Sequence, residues 1–171
     1  ILSATGRVVG FTGRNFSGNK TAPKYFNTPQ TGIYNKGKTL YGLHMAVKSI
    51  REKGFAYLVE GTADVIRLHQ IGKINTVGCG GTALTGEQIA DLKSRCASIT
   101  LIGDSDGAGQ TAVLKNGKLI IEAGMFCNVI ELPNGEEKQD PDSFFQDGEQ
   151  FDLYAGEHQK DFIIWQAESL K

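Results

Sequence analysis

The chain has 171 residues, 40% of them apolar and 22% charged, enough for one domain with a real core or one domain plus a small appendage. It has no run of about 18 apolar residues, which excludes a membrane-spanning helix, and its three cysteines, Cys79, Cys96 and Cys127, are too widely spaced for a disulfide framework or a Cys-rich zinc site. The net charge of −1 conceals a dipole, because residues 1–55 sum to +8 and residues 56–171 to −9; such segregation points to a polyanionic partner for the basic third.

Residues 6–14 are expected to form a strand interrupted by glycines, and residues 15–39, rich in Gly, Asn, Thr, Pro and Lys, a loop with short extended pieces. Residues 40–53 carry Leu40, Leu43, Val47 and Ile50 at helical spacing, with Gly54 as the stop. From Phe55 the rhythm becomes strand–helix–strand. Strands are expected at 55–59, 74–77, 98–102 and 125–132, and helices at 62–70, from the capping box Thr85-Gly-Glu-Gln88, and over 106–123 with Gly124 as its cap. A polar, acidic loop covers 133–141, and the tail is expected to hold one or two helices packed through Phe162, Trp165 and Leu170. Alternating elements of this length imply an α/β fold with a parallel sheet and right-handed crossovers. The start lacks both an initiator Met and a secretory leader, so a processed chain or an excised piece is expected. Buried, reduced thiols suit a cytosolic protein.

Sites in open parallel sheets form at the carboxyl ends of the strands. Three acidic features fall there: Glu60-Gly61 after the first strand, Asp104-Ser-Asp106-Gly after the third, and Asp140-Pro-Asp142 after the fourth. Asp64 lies one turn beyond Glu60. Each feature alone is also common as a turn or helix cap; their order and sheet position are the specific signal. Two carboxylates at i and i+2 of an extended chain point the same way and repel, and a divalent cation relieves that repulsion. Hard oxygen ligands favour Mg²⁺ or Mn²⁺. His44, His69 and His158 share no spacing, fall on expected helices and read as structural or surface residues. Tyr25, Phe26, Tyr34 and Tyr41 lie among lysines and suit either base stacking or packing of a small subdomain.

These acidic motifs resemble the Toprim module shared by bacterial primases, type IA and II topoisomerases and some nucleases and recombination proteins. Several upstream segments resemble the region before Toprim in the bacterial (DnaG-type) DNA primase family: residues 6–14, Pro23-Lys-Tyr-Phe-Asn-Thr-Pro29, Tyr34-Asn-Lys-Gly37 and Leu40-Tyr-Gly-Leu43, as does Gly81-Thr82. The similarity spans residues 6–146. It implies a Toprim-like parallel sheet flanked by helices, preceded by a small basic strand/loop subdomain. The parts would be the end of the primase N-terminal subdomain at 1–54, Toprim at 55–146 and a helical segment at 147–171. It further implies metal-dependent synthesis of short RNA primers on single-stranded DNA from ribonucleoside triphosphates, in the cytoplasm. A replicative helicase would be a partner of the full-length protein.

By the same resemblance, Glu60, Asp104 and Asp106 are the catalytic, metal-side residues, with Asp64, Asp140 and Asp142 supporting; Glu60 is alternatively a general base. Arg14, Lys24 and Lys36 match basic positions that contact template or nucleotide phosphates, and Asn27 a polar position beside them. Thr12, Thr62-Ala63, Gly80 and Ser105 depart from the family pattern, and the cysteines exclude its zinc-binding module. Three other readings compete: an aspartyl-nucleophile phosphatase built on Asp104 and Asp106, another Toprim enzyme of nuclease or topoisomerase type, and a non-catalytic single-stranded DNA-binding module.

Overall fold

The computed structural model describes the chain apart from residues 18–20, 22, 24, 82, 136, 137, 170 and 171. The expected packing of Leu170, and any part played by Lys24 or Thr82, therefore lie outside the described residues. In the basic region two short strands, β1 (Thr12–Arg14) and β2 (Tyr25–Asn27), pair antiparallel with Thr12 opposite Asn27. The strand expected over 6–14 is thus only three residues long. Val8, Phe11 and Phe26 are exposed, so this ribbon has no covering layer to extend it.

Helix α1 (Leu43–Lys53) starts three residues later than its apolar spacing suggests. Tyr41 and Gly78 exchange backbone hydrogen bonds of 2.8 and 3.0 Å, which holds Tyr41 extended. Gly42 then turns the chain with φ of +79°, a conformation that costs a residue with a Cβ about 1 kcal/mol or more. The helix buries Leu43, Ala46 and Ile50 and ends, as expected, at Gly54.

The central sheet has the order β4-β3-β5-β6-β7, with β3 (Phe55–Val59), β4 (Thr76–Gly78), β5 (Ser98–Ile102), β6 (Phe126–Ile130) and β7 (Gln159–Asp161). The first four are mutually parallel. Helix α2 (Thr62–Gln70) links β3 to β4, α3 (Gly86–Lys93) links β4 to β5, and α4 (Gly107–Glu122) links β5 to β6. Alternation along β3 divides the core: Ala56 and Leu58 join α1, α3, α4 and Trp165 on one face, while Tyr57 and Val59 join α2 and Phe151 on the other. At roughly 25 cal/mol per Å² of buried apolar surface, these two layers are the main source of stability.

The tail differs from expectation in two respects, holding three helices rather than one or two, and a strand. Helices α5 (Pro141–Phe144), α6 (Gly148–His158) and α7 (Phe162–Ser169) are interrupted by β7, which pairs antiparallel with β6. The sheet is therefore mostly parallel rather than wholly so. β7 is Gln-Lys-Asp, exposed at every position, and carries no apolar alternation from which a strand could be read. Phe162 and Trp165 are buried as packing residues, and all three cysteines are buried, outside any disulfide. No helix among the described residues is long and apolar enough to cross a membrane.

Candidate active-site cleft

The strand order reverses at β3: its α2 connection runs outward to β4, while the α3 connection carries the chain back across β3 to β5. Connections on opposite faces leave a crevice at the carboxyl ends of β3 and β5. Glu60 directly follows β3, Asp104 lies two residues beyond β5, and Gly80-Gly81 follow β4. The resulting cleft has a volume of about 420 Å³. Glu60, Asp64, Asp104, Asp140 and Lys138 line it, facing Thr12, Tyr25, Asn27 and Lys36 of the basic region.

Each carboxylate has a distinct environment. Glu60 is half-buried, and its Oε1 is buried without a hydrogen-bond partner among the described residues. Burial, then the neighbouring Asp104, pushes its pKa up to about 7. Asp64 is buried, accepting N–H bonds from Gly61 at 2.9 Å and Asp142 at 3.3 Å, and burial raises its pKa to about 6. It therefore ties the start of α2 to α5. Asp106 is the N-cap of α4, accepting from Gly109 N–H at 2.7 Å; the Lys138 hydrogen bond, then that N–H, holds its carboxyl below the ordinary value. Asp140 caps α5 through Ser143 N–H at 2.8 Å.

Lys138 Nζ lies 2.6 Å from Asp104 Oδ2 and 2.8 Å from Asp106 Oδ2. Close approach of α4 to the end of β5 sets this pair: a Cβ on Gly109 would collide with the Asp104 carbonyl.

Glu60, Asp64, Asp104 and Asp140 thus share the cleft, with Asp106 bordering it through Lys138. Asp142 does not line it; its carboxylate pairs with Arg67 Nε at 3.4 Å. Among the described residues, no three His, Cys, Asp or Glu side chains form a ready-made metal cage. The donors nevertheless suit a hard divalent cation, because an orphaned carboxylate oxygen lies beside an aspartate pair that already binds a cation, the Lys138 ammonium.

On the opposite wall, Lys36 and Asn27 line the cleft, whereas Arg14 does not; its guanidinium lies 5.5 Å from the Phe16 ring centroid. Buried Gln88 fixes the turn that carries Lys36. Its Nε2 donates to the carbonyls of Lys36 at 3.2 Å and Thr39 at 3.0 Å, while its Oε1 accepts the Thr85 N–H of the capping box at 3.1 Å. The aromatic residues divide, with Tyr34 buried, Tyr25 lining the cleft and Phe26 exposed. The histidines have structural settings: His69 Nε2 lies 2.9 Å from the Thr76 carbonyl and His158 stacks on Tyr154.

Sequence reasoning missed Lys138 and Gln88 as parts of this site, while for Tyr25 it left base stacking and packing open, and the structure lines the cleft with it. Lys138 had one visible signal, a base in a polar loop between two acidic motifs. Gln88 had none beyond the capping box, because its reach to Lys36 spans 52 residues.

Residues 57–145 match the Toprim-like family, and residues 1–47 match the DNA primase catalytic core, N-terminal domain. A DNA primase of Staphylococcus aureus (strain COL) is 37% identical over the whole of this chain, which spans 28% of that protein's length. A DNA primase domain from Pseudomonas aeruginosa superposes with a TM-score of 0.89 at 31% identity, covering 99% of this chain and 53% of that one. A DnaG primase catalytic domain solved bound to single-stranded DNA gives a TM-score of 0.85 at 31% identity over the same shares. Carrying the two modules in this order, with the carboxylates at the sheet's switch point, the chain belongs to the Toprim-like family and, by its N-terminal region, to the DnaG-type DNA primases.

Proposed function

We propose that the chain carries the polymerising centre of a cytoplasmic primase, which makes short RNA primers on single-stranded DNA from ribonucleoside triphosphates and works with a replicative helicase through the full-length protein. One observation carries this reading: Glu60 and Asp104 lie in the same cleft as Asn27 and Lys36, acids on one wall and an amide and a lysine ammonium on the other. The DnaG catalytic domain solved with single-stranded DNA supports the choice of template.

Glu60, Asp104 and Asp106 are the residues to hold Mg²⁺ or Mn²⁺, with Asp64, Asp140 and Asp142 bracing them. A bound divalent cation stabilises the charge that develops on the attacking and leaving oxygens of phosphoryl transfer. Lys36 supplies a fixed positive charge for triphosphate or template phosphates, and Asn27 a neutral hydrogen-bonding partner beside it. Arg14 adds a further cation to the basic region, and Lys24 is proposed for the same role on the family resemblance alone. Tyr25 offers an aromatic surface to a base at the cleft edge. Alternatively Glu60, whose burial pushes its pKa up to about 7 when no cation is bound, accepts a proton from an attacking hydroxyl instead of holding the metal.

The test is RNA synthesis by the full-length protein carrying this chain, on single-stranded DNA with labelled ribonucleotides. Short template-dependent RNA in Mg²⁺ and none in a chelator is the expected result. DNA cleavage or relaxation without RNA synthesis would overturn it in favour of another Toprim chemistry.

A further inference from the structure

Residues 138–140 lie against the acidic site, where Gln139 is fastened by a reciprocal clasp. Ser105 donates its N–H to the Gln139 carbonyl at 2.9 Å, and its Oγ accepts the Gln139 N–H at 2.8 Å. Ser105 stands between Asp104 and Asp106, so the clasp sets the neighbouring Lys138 over both carboxylates. A lysine ammonium is a compact point charge with three donors, suited to bridging two carboxylates. Its partners are one Oδ2 from each aspartate, hard oxygens that a divalent cation would also require. The two cations compete by space and by charge.

We propose that Lys138 is a resident counter-ion of the Asp104/Asp106 pair that a divalent cation must expel, so that the clasped loop restrains metal loading. This rests on the metal reading above, and its test separates the two. Mn²⁺ binding is measured by calorimetry and electron paramagnetic resonance on the full chain, its Lys138→Met, Lys138→Arg and Ser105→Gly variants, and Asp104→Ala as control. Lys138→Met is expected to bind Mn²⁺ about fivefold more tightly and to gain more thermal stability from Mn²⁺ than the parent. Lys138→Arg should keep the parent's weaker affinity. Ser105→Gly, which removes the Oγ half of the clasp, should fall between parent and Lys138→Met. If the parent binds Mn²⁺, Asp104→Ala abolishes binding, and Lys138→Met binds no more tightly than the parent, the restraint is overturned and the metal site stands. If neither the parent nor Lys138→Met binds Mn²⁺, both ideas are overturned.

Discussion

The two walls of the cleft are built in different ways. On the acidic wall each carboxylate follows from regular structure: Glu60 directly succeeds β3, Asp106 caps α4, and Asp140 caps α5. On the basic wall Lys36 lies in a turn and has no strand or helix of its own. Its carbonyl accepts from Gln88 and that of the next residue, Gly37, from the Thr85 hydroxyl at the start of α3, and Tyr41 is stitched to the edge strand at Gly78. The acidic module therefore positions the basic wall. A sheet edge and helix caps are enough to place acids, whereas placing the opposing cations required long-range hydrogen bonds to an already folded partner.

The largest expected effect removes the acidic wall's chemistry. Asp104→Ala in the full-length protein should reduce primer synthesis to background while circular dichroism stays unchanged; normal primer yield would take Asp104 out of the mechanism. Next is the backbone approach that sets the aspartate pair. Gly109→Ala forces a methyl onto the Asp104 carbonyl and should destabilise the chain by about 1–3 kcal/mol in urea unfolding.

The dependence of one wall on the other is tested by Gln88→Ala. Two carbonyls and the Thr85 N–H lose a buried partner, at a cost of about 2 kcal/mol. Single-stranded DNA binding should weaken as well, through Lys36. Unchanged binding at equal folded fraction would show that the basic wall holds itself.

A smaller effect concerns pH. Glu60 is raised from 4.5 to about 7 and Asp64 from 3.8 to about 6, so the folded chain binds more protons than the unfolded one across that interval. Stability of the metal-free chain should fall as pH rises from about 4 to 7. Glu60→Gln should flatten part of that fall, gaining most over the parent above pH 7 and least below pH 5. Parallel stability curves for the two proteins would remove Glu60 as a source. Smallest is Lys36→Ala, which should lower the salt dependence of single-stranded DNA affinity by about 0.7 in log–log slope, with little change in stability.

Much of the acidic side was legible in the sequence, because strands buried on both faces are short apolar runs and helix caps are local. The strands at 55–59 and 98–102, the helix at 62–70 and the Thr85–Gln88 box all stand where the sequence puts them. β7 was not legible, since an exposed polar edge strand is defined only by its partner β6. The start of α1 was misplaced because the Tyr41–Gly78 bridge takes Leu40, Tyr41 and Gly42 out of the helix, although Leu40 fits its apolar spacing.

Local chemistry in the sequence decided most element types, because strand runs and helix caps depend on residues within a turn or two of one another; the charge segregation and the order of the family motifs are likewise properties of the linear chain that need no fold to be read. Tertiary structure alone decided which groups share the cleft. It turned Asp142 toward Arg67, set Lys138 between Asp104 and Asp106, and fixed Lys36 through Gln88. Those contacts join residues about 30 to 80 positions apart, and their partners are chosen by the path of the backbone rather than by anything local to either residue.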